Sequence, residues 1–471
     1  MLNRTIGRAA ASFVLALSLS SCSVAPDRTA IEPPLPAQFA LAGETAAPDL
    51  WWQAFADQEL DNWQAVALAD NPGVQIIAAR WRAAQAVARG SAAGLIPSLS
   101  ASIGQTRSGG DQPHTELSSG GLSAAYELDL WGRIRAGRDA SRLQAAAAAR
   151  ELAAARINLS ASVAQLWYQI GSTAERARLI DAERLAYERI LQLVETRYRN
   201  GQAPASDVLR QRQLVESTRS LGAATAAELA LRRHALAELL GRPADTVELR
   251  GGLLTTLAGL PQTGVPAAVI QRRPDVQQAW LQLHAADRQV AAAIANRFPQ
   301  LNLSGSYLSN DGGSASLFDN WLSTLVASLV GPVVDGGARR AEVARTRAVR
   351  DQRIAEYRAA VLAAFRQVAD ALAQEQQLKI RVASLAEQLR LSDQVVDRLE
   401  RQLRNGSNSY LSLLDAQITN SGLRREVIAV GQLRTEQRIN LYAALAGPLT
   451  TDGASGQGSD PLAAQVMDAQ Q

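Results

Sequence analysis

Asn71-Pro72-Gly73-Val74-Gln75 returns 202 residues further on as Arg273-Pro274-Asp275-Val276-Gln277. The same offset carries Leu95-Ile96-Pro97-Ser98-Leu99 to Arg297-Phe298-Pro299-Gln300-Leu301, and Arg199-Asn200-Gly201 recurs 205 residues later as Arg404-Asn405-Gly406. Three matches in one order at a nearly constant offset mark an internal duplication. The chain therefore divides into a first repeat over 51–250 and a second over 251–450.

Each copy has the same grammar. Proline suits the first turn of a helix, so opening helices start near Pro72 and Pro274. The residue before a proline is pushed out of the α region, which ends those helices before Pro97 and Pro299. Alternation then replaces helical periodicity. Ser98, Ser100 and Ser102 alternate with Leu99, Ala101 and Ile103, and beyond the turn-rich 109–113 the residues Leu122, Ala124, Tyr126, Leu128 and Leu130 alternate again. In the second copy Leu301, Leu303 and Tyr307 share a face, Asn310-Asp311-Gly312-Gly313 turns the chain, and 321–330 supplies the partner strand. Period two interrupted by Gly, Asn and Asp is the signal of a hairpin.

A long tract follows each hairpin, with no proline between Pro113 and Pro204 or between Pro332 and Pro448. Leu152, Leu159, Leu166, Ile180, Tyr187 and Val194 recur every seventh residue, with Thr173 the single break. Ile354, Val361, Val368, Val382, Leu389, Val396 and Leu403 repeat the pattern, interrupted by Glu375. A sustained heptad predicts a coiled-coil seam. A tract of roughly 60 residues at about 1.5 Å each extends on the order of 90 Å. Asn and Gly tolerate the left-handed conformation that reverses a helix, so Asn200-Gly201 and Asn405-Gly406 form the helix-turn tips, each followed by a return helix.

The N-terminus carries a different message. Arg4 and Arg8, the apolar 9–19 and Leu19-Ser20-Ser21 before Cys22 have the three parts of a secretion signal over 1–21. Cys22 is the only cysteine, so it enters no internal disulfide or thiolate cluster. A lipid-attachment cysteine and an incidental one behind an ordinary signal are the alternatives, and position together with uniqueness favours the lipid. Pro and Ala dominate the stretch after it, making 22–50 a lipid-anchored strap, and 451–471 reads as a flexible tail. No apolar run after the leader approaches the ~18–20 residues of a membrane-spanning helix, so membrane insertion requires strands or a lipid.

The remaining composition argues against chemistry. With 48 basic and 45 acidic residues, the balance gives no reason for a nucleic-acid partner. His114, His234 and His284 fall in three segments without metal or catalytic spacing, and Gly336-Gly337 lacks the ending of a phosphate loop. The expectation is no enzyme, no cofactor and no metal site. Trp131 and Trp321 fall at strand ends, suited to an interfacial belt, while Trp51, Trp52 and Trp63 suit a packed interior.

Four strands of about 9–11 residues are long enough to cross a bilayer at a tilt, but four leave unpaired edges. Single-chain barrels need at least about 8 strands. Strands that enter lipid here require self-association, a dimer offering eight and a trimer twelve.

Three stretches resemble one family: Tyr126-Glu-Leu-Asp-Leu-Trp-Gly-Arg-Ile-Arg135, Gly331-Pro-Val-Val-Asp-Gly-Gly-Ala-Arg-Arg340 and Asn405-Gly-Ser-Asn-Ser-Tyr-Leu-Ser-Leu-Leu-Asp-Ala-Gln417. In this order behind Cys22 they resemble the TolC-like outer-membrane efflux proteins, of the lipid-anchored branch that serves resistance-nodulation-division pumps. The resemblance covers nearly the whole chain and implies an α+β membrane protein. Its duplicated unit is a β-hairpin plus long coiled-coil helices. A homotrimer would form a 12-stranded β-barrel in the outer membrane, joined to a 12-helix periplasmic α-barrel. The linker near 242–266 and the chain ends would form a girdle. The implied partners are a periplasmic adaptor, which the helix-turn tips face, an inner-membrane pump, and outer-membrane lipid through Cys22. Ser23 after the cysteine matches outer-membrane sorting.

The resemblance also places a periplasmic gate at Leu411 and Asp415. Four apart, they share a helix face, and a trimer would turn them into an apolar ring and a carboxylate ring. Asp207 and Arg210 occupy the equivalent segment of the first copy, as gate tethers or as ordinary solvated charges. Some relatives carry a basic residue where this chain has Ile418. Two other readings stay open at this stage: a lipid-anchored periplasmic coiled-coil scaffold without channel activity, and a lipoprotein enzyme such as a cell-wall hydrolase.

Overall fold

The computed structural model describes residues 31, 33–41, 43, 48, 50–109, 115–244, 246–252, 257, 259–264, 266–311, 321–404 and 410–449. The chain falls into two compact units. Among the described residues, one comprises those within 31–34, 81–148 and 278–360; the other comprises those within 35–80, 149–277 and 361–449.

The two copies use the same elements in the same order. The first has α1 (Gln58–Asp70), α2 (Pro72–Ala92), β1 (Ser98–Ser108), β2 (Thr115–Leu128), α3 (Arg133–Arg199) and α4 (Ala205–Leu239). The second has α5 (Pro266–Arg272), α6 (Pro274–Ala295), β3 (Gln300–Asp311), β4 (Trp321–Val330), α7 (Ala338–Arg404) and α8 (Tyr410–Leu445). The proline rule holds to the residue, with α2 and α6 opening on Pro72 and Pro274. The two long helices are 67 residues each, somewhat more than the heptads alone required.

In the first unit the four strands form one antiparallel sheet in the order β1-β2-β3-β4. The central pair, β2 against β3, joins the copies, with Leu122 opposite Tyr307 and Leu128 opposite Leu301. That leaves β1 and β4 as edges. Because side chains alternate across a sheet, the register separates two faces. One carries Ser98, Ser100 and Ser102 beside Ser123, Ser304 and Ser306. Its hydroxyls bond across the ladder, as in the 2.8 Å contact of Ser100 with Ser123. The other carries Leu99, Ile103, Leu122, Tyr126, Leu303 and Tyr307. Ile103 is 87% exposed and Leu325 of β4 84%, far more than an aliphatic side chain in a water-facing sheet warrants. Strand β4 is aliphatic on both faces, since Leu322 and Val326 lie on the serine side. In the same unit Tyr357 is fully buried against Trp280, whose ring meets His284 edge-on at 4.3 Å, so His284 packs as a structural residue.

The second unit is helical. Its pairings run α4–α3–α8–α7, leaving α4 and α7 as the outer members. Helices α7 and α8 share an aliphatic core of Leu378, Leu385 and Val430, with Val382, Leu423 and Val427 packed on it. Helices α3 and α8 meet instead through a polar ladder: Gln165–Asn440 (2.8 Å), Gln169–Glu436 (2.7 Å), Ser172–Gln432 (2.6 Å), Glu183–Arg425 and Tyr187–Ser421 (2.7 Å). Burial pushes the Glu183 carboxyl up, against the pull of Arg425, Ser421 and Arg424.

The two heptad breaks face inward. Thr173 is fully buried and Glu375 nearly so. Glu375 accepts from Arg438 Nη2 at 2.6 Å, and Arg438 Nη1 donates to Gly259 O at 3.0 Å, which ties the linker to the helices. The same linker crosses α3 where Gly252 N donates to Trp167 O at 3.1 Å. Nearby, Trp51, Trp52, Phe55, Tyr168 and Tyr442 form one aromatic cluster, fulfilling the expectation for Trp51 and Trp52; Trp63 is half-buried.

Candidate functional site

The first helix-turn tip, Asn200-Gly201, and the start of α8 lie in the second unit. Helix α3 ends where Gly201, at φ +72°, adopts the left-handed conformation. Gly201 N donates to Tyr198 O (2.9 Å) and Gln202 N to Arg197 O (2.8 Å). This paired closure satisfies the last carbonyls and is the reason Asn200-Gly201 ends the tract. Asn405 and Gly406 lie outside the described residues, as does Cys22.

Helix α8 begins at Tyr410, and its first turns present two faces. Tyr410, Leu413 and Leu414 are buried with Val194, Val208 and Leu403, which locks the α8 start against α3, α4 and α7. Leu411 (40% exposed) and the exposed Asp415 lie on the opposite side. The pair is therefore rigidly held by its buried neighbours and turned away from this chain's own core. Ile418, 46% exposed, follows them.

Asp207 and Arg210 sit on the first turns of α4, and among the described residues no ion pair links them. Both lie within electrostatic reach of the Tyr410 hydroxyl, which burial chiefly pushes up to about 12. The completely buried side chain that ties α4 to its neighbours here is Gln211, beside the exposed Arg212–Glu195 pair. Its Nε2 donates to Tyr187 O at 2.8 Å, and its Oε1 accepts from the Tyr410 hydroxyl. Sequence reasoning missed Gln211 and Tyr410. A glutamine next to an arginine in a helix looks solvated, and only the three-helix contact reveals its burial.

The first unit holds two of the stretches that carried the resemblance. In each, an aspartate caps a long helix. Asp129 accepts from Ile134 N and Arg135 N, both at 2.9 Å. Burial alone would raise its carboxyl, but those amides and the Arg135 guanidinium outweigh burial and hold it below its usual value. Asp335 accepts from Gly337 N (3.0 Å) and Arg339 N (3.3 Å), and the two amides lower it. Gly336-Gly337, both at positive φ, shape the strand-to-helix turn.

Two stacked aromatic pairs bracket the sheet. Trp131 lies on Phe298 at 4.8 Å and donates Nε1 to Pro299 O at 2.7 Å, at one end of the strands. Tyr307 lies on Trp321 at 4.5 Å and 6°, at the other. No described helix is long and apolar enough to cross a membrane. Among the described residues no His, Cys, Asp and Glu group has metal-binding spacing.

Known proteins give this architecture a context. The sequence profile of the family described as outer membrane efflux protein matches residues 63–242 and 265–447. The pyoverdine export outer membrane protein OpmQ of Pseudomonas aeruginosa is 30% identical over 94% of this chain and 96% of its own. The cation efflux system protein CusC of Escherichia coli K12 is 27% identical over 92% of this chain and 98% of its own. A crystallised membrane protein from Pseudomonas aeruginosa superposes with a TM-score of 0.82 at 28% identity, over 90% of this chain and 100% of its own. With both copies matched and the fold shared, the chain belongs to the outer membrane efflux protein family.

Proposed function

We propose that three copies of this chain close a duct across the outer membrane, fed by an inner-membrane pump through a periplasmic adaptor. The observation that carries the reading is the open-edged sheet with strongly exposed aliphatic side chains, Ile103 and Leu325 among them. Such a face tolerates lipid and not water, and its free edges demand partners. Three copies supply twelve strands. The outer helices support the same assembly: Leu209 and Leu231 on α4, and Ile380, Leu391 and Val395 on α7, are apolar and exposed. They are the surfaces a second copy would cover.

Cys22 supplies the lipid attachment in this reading, the helix-turn tips meet the adaptor, and Leu411 with Asp415 narrows the periplasmic end. Three carboxylates around one axis repel one another or hold a cation, which makes the constriction an electrostatic barrier as well as a steric one. Asp207 and Arg210, near Tyr410, act with Gln211 as tethers of that end. The cargo is set by the pump, in keeping with relatives named for pyoverdine export and for cation efflux. Domain limits follow the repeats: 1–21 leader, 22–50 strap, 51–250 and 251–450 the two copies, and 451–471 tail. Family membership leaves the tethered-scaffold alternative without support.

Purification decides the assembly. A detergent-extracted trimer that conducts across a planar bilayer is expected, and Asp415→Ala should raise its conductance. A soluble monomer obtained without detergent would overturn the duct; unchanged conductance and cation block in Asp415→Ala would remove the gate assignment.

A further inference from the structure

The serine face of the sheet ends in a feature that neither the gate nor the lipid contact uses. Where the strands meet α2 and α3, a solvent-open recess of about 810 Å³ is lined by Ser98, Glu127, Arg133 and Arg138, with Gly90 and Gly137 on the helical side. Ser98, Ala125, Glu127, Asn302 and Ser304 are in register on one face of the sheet, so most of the strand lining belongs to the serine face, with Tyr126 and Leu303 contributing from between them.

Its charged groups are held in fixed orientations. Two guanidinium groups and one carboxylate, Glu127, line it, while the second carboxylate, Asp139, pairs with Arg138 from outside the lining. Arg133 donates Nε and Nη2 to Glu127 at 3.2 and 2.6 Å, and Arg138 donates Nε and Nη2 to Asp139 at 2.9 and 2.6 Å. Each pairing fixes the guanidinium plane and leaves Nη1 outside the pair. Pre-oriented guanidinium edges suit carboxylates and other planar oxyanions.

The glycines are the second observation. Gly90 lies within α2 and Gly137 within α3, where glycine destabilises a helix relative to alanine. A Cβ at either position would meet nothing within 4 Å. Packing within this chain therefore does not require them, whereas side chains there would occupy the recess.

We infer that this recess is a binding station in the duct wall for small, multiply charged oxyanions, carboxylates above all, gripped by the outer edges of Arg133 and Arg138 beside the Ser98 and Ser304 hydroxyls. Only its place on an export route rests on the duct reading; the binding does not.

Citrate is the probe, titrated calorimetrically into the full chain in detergent at low salt, with sucrose as the uncharged control. Citrate is expected to bind at roughly millimolar concentration and sucrose not at all, with Arg138→Gln and Gly137→Leu each weakening citrate by about tenfold or more. Gly90→Leu repeats the filling test from the other helix should Gly137→Leu fail to fold. Absence of citrate binding, equal binding of sucrose, or binding untouched by these variants would overturn the station. So would dissociation of the oligomer in folded Gly137→Leu, because the space would then belong to a second copy. Citrate binding without bilayer conductance would leave the station standing and sink the duct.

Discussion

Asn71 and Arg273, 202 residues apart, hold the same helix junction by different chemistry. Asn71 Nδ2 donates to Leu239 O at the end of α4 (2.8 Å), while its Oδ1 accepts from Val74 N in α2 (3.0 Å). One side chain thus closes one helix and opens another. In the second copy the two tasks are divided. Arg273 Nη1 donates to Ala444 O at the end of α8 (3.1 Å), and Asp275 Oδ1 accepts from Val276 N in α6 (2.9 Å). Arg273 also holds Asp275 and Gln367, each at 2.7 Å.

Asn71→Ala should cost about 1–2 kcal/mol, the loss of a cap and one buried bond. Arg273→Ala should cost more, about 2–3 kcal/mol, because it removes a buried bond to the Ala444 carbonyl together with charge-assisted bonds to the part-exposed Asp275 and the exposed Gln367. Chemical denaturation in detergent measures both, and Arg273→Lys should recover only part of the loss, lacking the planar fork. Equal, small losses at the two sites would show that the junctions are not held this way.

Acid should loosen the starts of α3 and α7. Asp129 and Asp335 titrate below their ordinary values in the folded chain. Their contribution is therefore complete above the unfolded value of about 3.9 and is lost as pH falls through the lower folded values. Melting temperature, followed from neutral pH downward, should drop below about pH 4. Asp129→Asn keeps a cap but loses the charge at the helix N-terminus, about 0.3–1 kcal/mol at neutral pH. The gap between this variant and the parent should narrow in acid; a gap that widens there contradicts the assignment.

Gly171 is where the linker comes closest to α3. A Cβ on it would lie 1.7 Å from Gly252 O. Gly171→Ala should lift the linker at a cost of about 1–3 kcal/mol. The readout is tryptic cleavage after Arg250, faster in the variant. Unaltered cleavage and stability would mean the backbone adjusts freely.

The Glu375–Arg438 pair is almost wholly buried. Glu375→Ala takes the carboxylate away from a buried guanidinium and should cost about 3–5 kcal/mol, while Glu375→Leu with Arg438→Met should recover most of it. Thermal unfolding of the two variants side by side tests this. A double variant as unstable as the single one would point to the Arg438–Gly259 bond as the larger contribution.

The aromatic pairs set a depth scale. Nine residues separate Phe298 from Tyr307, about 30 Å of strand and about 20 Å in height at a 45° tilt. In proteoliposomes, Trp131→Phe and Trp321→Phe should each remove fluorescence quenched by bromines near the lipid headgroups and spare that quenched at the acyl ends. Loss of deep quenching instead would place the pairs inside the hydrocarbon.

Much of this was legible from periodicity. Prolines marked the openings of α2 and α6 to the residue, and alternation found β1, β2 and β3, whereas β4, aliphatic on both faces, was placed by the Asn-Asp-Gly-Gly stretch before it. Heptads found both long helices. What the chain hid were contacts spanning great separations in sequence. The pentapeptide around Asn71 announces a helix start, but its acceptor, Leu239 O, lies 168 residues away. Thr173 and Glu375 stood out only as interruptions, and their burial became visible once a partner such as Arg438 was in place. At the α8 start, sequence reading chose the charged Asp207 and Arg210, whereas the buried link runs through the uncharged Gln211. Charge advertises itself in a sequence; a neutral side chain is conspicuous only by what surrounds it.

The order β1-β2-β3-β4 gives each subunit two unlike flanks, one from each copy of the repeat. In the proposed ring the β1 flank of one subunit must be received by the β4 flank of the next, so every member is both giver and receiver. A subunit whose β4 flank is blocked can still be accepted on its other side, and it then halts the circle. In cells making both kinds of chain, the defective one should act dominantly, spoiling more assemblies than its share of the population.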